Sequence, residues 1–214
     1  MELYTYFRSS AAYRVRIALN LKGLKADYRY VHLVKDGGQQ HQPEYLALNP
    51  QGLVPALVDK GHVLTQSLAI IEYLDETHPQ PPLLPKDAPG RARVRALAQI
   101  VASDIHPVNN QRILKYLEKE FRADEAARSK WYRHWIVEGF NALDKLLGSS
   151  PATGKFCHGD QPTLADICLV PQVFNARRFK IDLASFPAIE RINATCLALA
   201  AFADAAPDRQ PDAE

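Results

Sequence analysis

The sequence predicts a small α/β domain followed by an all-helical domain, and three observations carry that expectation. Over roughly the first 80 residues, strand-like and helix-like patterns alternate in the order βαβ then ββα. A stiff, proline-rich stretch, PQPPLLP at residues 79–85, then interrupts the chain. Beyond Gly90 strand signals nearly vanish and long helical periodicities take over. The expected partition is residues 1–80, a linker at 81–90 and a helical domain at 91–214, with no internal repeat.

Each element has a local reason. LYTYF at residues 3–7 is a run of aromatic and β-branched side chains, as a buried strand requires. Residues 11–21 put Val15, Ala18 and Leu19 on one helical face, with Arg14, Arg16 and Lys22 mostly elsewhere; Gly23 suits the position after the C-cap. YRYVH at residues 28–32 returns as a strand, so the opening βαβ implies parallel pairing. VKDGGQQH at residues 34–41 reads as a loop, and a short helical piece at 45–48 ends at Asn49-Pro50. VPALV at 54–58 and HVL at 62–64 flank the turn Asp59-Lys60-Gly61 as a hairpin. SLAIIEYLDET at 67–77 is amphipathic, with Leu68, Ile71 and Leu74 aligned.

In the second half, residues 91–117 and 123–147 are long helical patterns, Thr163-Leu164-Ala165-Asp166 opens another, and residue 186 onward supplies at least one more. Thr163 and Asp166 have the spacing of a capping box, which assigns Asp166 a structural role. Pro107 lies inside the first of these patterns. A mid-helix proline lacks its N–H and clashes with the carbonyl four residues earlier, here Ser103, so a kink is expected. The kink serves either packing around a neighbouring helix or turning His106 and Asn110 toward a cleft.

Composition excludes several classes. A hydrophobic content of 47% with 23% charged residues fits a globular chain rather than a disordered one. A net charge of +2 gives no electrostatic case for nucleic acid or an anionic membrane. No apolar run approaches the length of about 18 residues that a membrane span needs. Met1-Glu2-Leu3 runs directly into a strand pattern rather than into a basic and then apolar leader. Three cysteines, Cys157, Cys168 and Cys196, are odd in number and lack CxxC spacing, and the histidines form no HxxxH or HExxH pair. No metal site is therefore expected, and the expected compartment is the reducing cytoplasm.

Three local features carry chemistry. Ser9 and Ser10 stand where the first strand gives way to the first helix, although capping needs only one hydroxyl. Val54-Pro55 precedes a hairpin strand: a cis peptide there would leave the Val54 backbone facing outward for an extended ligand. Gln66-Ser67 opens a helix, where backbone N–H groups, a hydroxyl and the helix dipole favour a carboxylate. Arg14, Arg16 and Arg93 are expected on solvated helix faces; Arg8, beside the serines, is better placed for a ligand.

In that order and spacing, the chain resembles the glutathione S-transferases, and within them the zeta class. The resemblance runs along essentially the whole length, through YFRSSAAYRVRIALNLKG, VKDGGQQ, ALNPQGLVPAL, TQSLAIIEYLDETHP, DIHPVNN, GDQPTLADICLVPQVFNARRFKIDL and the terminal RQPD. It implies an N-terminal thioredoxin-like domain that binds glutathione, an all-helical C-terminal domain that binds substrate, glutathione between them, and a homodimer. Carried over residue by residue, Ser9 is similar to the serine whose hydroxyl contacts the glutathione sulfur, with Ser10 beside it, and these two are the catalytic candidates. Gln40 and His106 resemble positions that reach the tripeptide. Val54 matches the residue that pairs with its cysteinyl backbone, and Gln66 with Ser67 matches the pair that holds its γ-glutamyl carboxylate. Asn110, Gln111 and Arg112 fall in the segment through which the second domain contributes. Arg8, Arg112 and Arg178, the last preferred over Arg177, stand where substrate carboxylates are expected. Two positions depart from the family pattern: Ala11 replaces the cysteine of Ser-Ser-Cys, and Leu53 replaces a residue that is often polar.

The implied activity is glutathione-dependent cis–trans isomerisation of an unsaturated dicarboxylic acid, maleylacetoacetate to fumarylacetoacetate, in aromatic amino-acid catabolism. The thiolate would add to the double bond and leave after rotation. Isomerisation of maleylpyruvate is the close alternative, general transferase activity another, and a non-catalytic glutathione-binding module a third. A redox role is disfavoured because Ala11 leaves no thiol at the first helix start. The energetics permit the thiolate. Lowering a thiol pKa by about two units takes roughly 2.7 kcal/mol. A helix N-terminus supplies about 0.3–2 kcal/mol and a hydrogen bond to a charged group about 1.5–3 kcal/mol; neither reliably reaches that figure alone, but the two together can.

Overall fold

The computed structural model describes residues 1–214, which divide into two compact units: Met1–Pro82 with Leu199–Glu214, and Leu83–Ala198. The first unit is built on a four-stranded sheet of order β2-β1-β3-β4, comprising β1 (Glu2–Thr5), β2 (Asp27–Tyr30), β3 (Ala56–Asp59) and β4 (His62–Thr65). β1 pairs parallel with β2, Leu3 opposite Tyr28, and antiparallel with β3, Leu3 opposite Leu57; β3 and β4 form the expected hairpin. The strands are shorter than the apolar runs that announce them. Tyr6 and Phe7 leave the ladder and join Val31, Tyr45 and Val54 in a separate buried cluster.

Helix α1 (Ser10–Leu21) and α3 (Ser67–Thr77) pack together, while the short α2 (Pro43–Leu48) brings Tyr45 to that second cluster. Residues 34–41, expected as a loop, hold two short 3-10 turns, Lys35–Gly37 and Gln39–His41. Gly23 follows α1 at φ 64°, as its position suggests.

Two expectations are overturned in this unit. Arg14 and Arg16 are not on a solvated face; they are 2% and 1% exposed. α1 is covered by α3 and also by α10 (Ala200–Ala203), so the single buried face that periodicity assigns is only part of what the fold covers. Residues 199–214, expected in the helical domain, likewise pack with the sheet unit. Tyr13 donates its hydroxyl to Phe202 O, Asn20 its amide to Ala201 O, and Arg16 its Nε–H to Ala205 O. α1 and α3 also share a buried lysine: Lys22 Nζ lies 2.5 Å from Asp75 Oδ1 and donates to the carbonyls of His78 and Pro81.

The second unit begins at Leu83, whose carbonyl accepts the Leu164 amide at 2.9 Å, and contains no sheet. It comprises α4 (Ala88–Gln99), α5 (His106–Val108), α6 (Gln111–Phe121), α7 (Glu125–Gly148), α8 (Leu164–Arg178) and α9 (Pro187–Leu197). α8 is buried almost all round, as an axial helix with little polar surface should be. It opens on the capping box read from the sequence: Asp166 Oδ2 accepts both the amide and the hydroxyl of Thr163 at 2.8 Å. Arg93, expected on a solvated face, is partly buried and bridges Cys157 O and Thr153 Oγ1.

The expected long helix with a kink at Pro107 is instead two helices. A π-helical turn, Ile100–Ile105, precedes His106, and α5 ends at Asn109; Asn110 then caps α6 as a new start, its side-chain Oδ1 accepting the Arg112 amide at 3.0 Å. Pro107 falls in the first turn of α5, where a missing N–H breaks no helix bond, and the capping side chain of Asn110 follows three residues later. No helix in the chain is long and apolar enough to cross a membrane.

Candidate functional site

In the sheet unit the candidate residues sit at two helix starts and in the loops around the second cluster. Ser9 is the N-cap of α1, at φ −70° and ψ 117°, and its Oγ accepts the Ala12 amide at 3.2 Å. That bond uses a lone pair and leaves the hydroxyl proton to be donated elsewhere. Ser10 follows in the first turn, buried, and no acidic side chain lies in that turn to offset the positive end of the helix. Arg8 is exposed and reaches over the rings of Tyr6 and Phe7, 6.0 and 5.6 Å from their centroids.

The start of α3 is built differently. Gln66 stands at its N-cap with φ 67° and ψ 115°, and no side chain caps the helix. A non-glycine residue holds such a backbone only where its surroundings impose it, at about 1–3 kcal/mol. Gln66 Nε2 donates to Gln51 Oε1 at 2.9 Å, and the buried Ser67 hydroxyl accepts from Arg14 Nη1 at 3.2 Å. Uncapped amides beside a guanidinium-bound hydroxyl have the chemistry to take a carboxylate. The reading from sequence alone found Gln66 and Ser67 but missed Arg14 and Gln51. The signal for Gln51 was the turn Asn49-Pro50-Gln51-Gly52, closed by Gly52 N–H to Asn49 O at 2.9 Å.

Val54 is buried, the Val54–Pro55 peptide is cis as expected, and no loop hydrogen bond uses the Val54 backbone. Its neighbour Leu53 accepts from Tyr45 Oη at 2.6 Å and Asn49 Nδ2 at 2.7 Å, which fixes the approach to Val54. The Gln40 side chain is buried; its Nε2 donates to Leu33 O at 3.4 Å, and its Oε1 has no protein partner. A buried acceptor without a donor is costly, and a ligand N–H would satisfy it.

The helical unit holds the other candidates. His106 starts α5, half-buried; Asn110 caps α6; Gln111 and Arg112 are exposed in its first turn. Their segment is fastened to α7: Trp131 Nε1 donates to Val108 O at 2.9 Å, and Asn109 Nδ2 donates to Tyr132 O at 3.2 Å. The Tyr132 ring stacks on Phe179, centroids 3.6 Å apart, and Arg178 lies 5.7 Å from that same Phe179 centroid. Burial raises the Tyr132 hydroxyl to about 12, with Arg178 pulling the other way. Tyr132 therefore touches both candidate segments of this unit, and sequence reasoning did not single it out. Arg177 and Arg178 are both exposed at the end of α8.

A sheet of order 2-1-3-4 with a serine-capped first helix and an uncapped third, in a chain that continues as helices, defines a thioredoxin-like protein of the glutathione-transferase type. Comparison with known proteins agrees. The model for the glutathione S-transferase N-terminal domain matches residues 3–82, and that for the C-terminal domain matches residues 125–207. A probable maleylacetoacetate isomerase of Vibrio cholerae is 52% identical over 211 residues, 99% of this chain and 97% of that protein. The holo structure of a bacterial zeta-class maleylpyruvate isomerase superposes with a TM-score of 0.97 at 54% identity, covering 100% of both chains. A maleylacetoacetate isomerase from Methylobacterium extorquens AM1, solved with malonate and glutathione bound, gives a TM-score of 0.96 at 43% identity, again over 100% of both chains. The chain belongs to the glutathione S-transferase family, in its zeta class.

Proposed function

We propose that this chain is a glutathione-dependent isomerase converting maleylacetoacetate to fumarylacetoacetate. The observation that carries the reading is Ser9 at the α1 N-cap, its oxygen engaged with Ala12 and its proton available, on a helix whose first turn holds no acidic residue.

The residues present fit the tripeptide. The uncapped start of α3, with Gln66 and with Ser67 beside Arg14, suits the γ-glutamyl carboxylate. The Val54 backbone suits the cysteinyl amide and carbonyl, and the orphaned Gln40 Oε1 suits a ligand N–H. In this reading His106, Asn110, Gln111 and Arg112 are the helical unit's contributions to tripeptide binding, a role taken from the family resemblance. When bound, glutathione supplies a thiolate nucleophile toward the cis double bond. Ser9 is a donor to that sulfur and not its base, because a neutral hydroxyl is a far weaker base than a thiolate. Ser10 and the α1 amides add the positive end of the helix. Arg8, Arg112 and Arg178 engage the substrate's carboxylates, for which a guanidinium offers paired donors at any physiological pH.

Maleylpyruvate is the second substrate to test, favoured by the match at TM-score 0.97 to a maleylpyruvate isomerase. An assay on both cis acids, with and without glutathione, decides. The expected outcome is turnover only with glutathione and faster on maleylacetoacetate; equal rates without the tripeptide would end the proposal. The same reading takes the chain as a cytoplasmic homodimer in aromatic amino-acid catabolism. Three buried cysteines outside any disulfide support a reducing compartment, and light scattering in solution tests the dimer.

A further inference from the structure

The turn that carries Ser9 is held by groups far from it in sequence. Ser9 donates its amide to Tyr6 O at 3.0 Å, which closes residues 6–9 into a turn. One guanidinium gathers the carbonyls of that turn: Arg16 Nη2 donates to Phe7 O at 2.9 Å and Nη1 to Tyr6 O at 3.4 Å. Arg16 also donates from Nη1 to Thr5 Oγ1 at 3.2 Å and from Nε to Ala205 O at 3.0 Å. A second backbone donor of the turn, the Phe7 N–H, goes to Asp212 Oδ2 at 2.9 Å. The two residues before Arg8 and Ser9 are thus fixed by donors on one side and by an acceptor from the chain terminus on the other.

Capping α1 requires none of this; the Ser9–Ala12 bond alone does it. Burying Arg16 is unfavourable, since desolvation lowers its guanidinium to about 10 even among four acceptors. The C-terminal segment that supplies two of the contacts is itself stiffened, with Gln210 Nε2 donating to Asp204 O and Ala206 O at 2.9 and 3.0 Å. A hydrogen bond from Ser9 to a thiolate is directional and weakens steeply with misplacement. We propose that Arg16 and Asp212 are positioning residues for Ser9: through the Tyr6 and Phe7 backbone they aim its hydroxyl at the sulfur, making the C-terminal segment part of the thiol-activating device. This rests on the isomerase reading above.

The test is the ultraviolet titration of the thiolate of bound glutathione in the full chain, with Asp212→Ala as the main variant and Arg16→Lys as the harsher one. In Asp212→Ala the thiol pKa should rise by about one unit, leaving roughly tenfold less thiolate, while glutathione affinity stays within about threefold. Asp212→Asn should return the thiol pKa to within a few tenths of a unit of the wild-type value, because its carboxamide oxygen accepts the same N–H; the carboxylate charge is lost in both variants, so the difference between Asn and Ala reads the hydrogen bond alone. Asp208→Ala, an exposed change in the same segment, should leave the pKa alone. A thiol pKa unmoved by Asp212→Ala, even with a lowered melting temperature, would reduce Asp212 to a tether and overturn the proposal, as would failure of Asp212→Asn to restore it. A wild-type protein whose bound glutathione titrates like a free thiol would instead remove the isomerase reading, and this proposal with it.

Discussion

The Ser9 hydroxyl oxygen accepts the Ala12 amide at 3.2 Å, so the side chain expected to steady a thiolate is also the one that starts α1. The two roles separate by substitution. Ser9→Ala removes both: a lost cap costs about 1 kcal/mol and lowers the melting temperature by about 2–4 °C. Loss of a hydrogen bond to a charged sulfur, about 1.5–3 kcal/mol, lowers kcat about 10–100-fold. Ser9→Asp keeps the cap, so its melting temperature stays at the wild-type value. Its carboxylate beside the thiolate raises the thiol pKa, and activity falls as far as in Ser9→Ala. Thermal melts and isomerase rates on the pair provide the check; a Ser9→Asp variant with wild-type activity would deny Ser9 its role at the sulfur.

Gln66 offers a second separation, between strain and contact. Its φ of 67° suits glycine far better than any side chain, so Gln66→Gly relieves strain, while Gln66→Ala keeps the strain and loses only the contact to Gln51. Calorimetric binding and thermal melts should find Gln66→Gly at least as stable as wild type, with Gln66→Ala below it. Both should bind glutathione about tenfold more weakly, the loss expected for a charge-assisted contact of about 1.5 kcal/mol. Equal melting temperatures for the two variants would mean the backbone there is unstrained.

How much of this was legible in the sequence depends on the range of the interactions. α3 begins and ends where its amphipathic pattern does, and the Thr163–Asp166 box was readable because capping is decided within four residues. Ser9, Val54, Gln66 and Ser67 stood out because turns and helix starts draw on few residue types. Arg14 and Arg16 did not. Their burial depends on residues 199–214 and on Ser67, contacts across separations of 53 to 189 residues that no local pattern encodes. The break at residues 106–110 was half visible: Pro107 announced a disruption, but whether a helix kinks or restarts was decided by Asn110 as a cap and by the fit against α7.

The cysteines bear on whose sulfur does the chemistry. Cys157, Cys168 and Cys196 are buried and outside any disulfide. Burial, with the Asp166 carboxylate nearby, raises both Cys157 and Cys196 well above a normal thiol. The thiolate is the reactive form, so at pH 8 native protein should take up iodoacetamide at least about a hundredfold more slowly than unfolded protein. Isomerase activity should survive the treatment, followed by mass spectrometry and assay. Rapid inactivation with modification of one cysteine would show that a thiol of the protein takes part.

Gly139 decides how closely the π-helical turn before His106 approaches α7. A Cβ on Gly139 would lie 2.3 Å from Ile105 Cδ1 and 2.4 Å from its Cγ1, well inside contact distance. On helix propensity alone Gly139→Ala should stabilise α7 by about 1 kcal/mol. The clash should reverse that sign, because overpacking a closely fitted contact costs about 1–3 kcal/mol. Ile105 leads directly into His106, so the displacement also loosens the Val108 contact to Trp131 and the Asn109 contact to Tyr132. Gly139→Ala should therefore lower the melting temperature and raise the KM for glutathione more than it lowers kcat, given the roles proposed for His106 and Asn110. Ile105→Ala alone leaves a cavity that costs about 2–5 kcal/mol. In the double variant the new methyl occupies part of that space, so the two losses should fall short of additive by about 0.5–3 kcal/mol. Strict additivity, or a stabilised Gly139→Ala, would mean that α7 and the π-helical turn are free to part, and that the close fit does not hold the His106 segment in place.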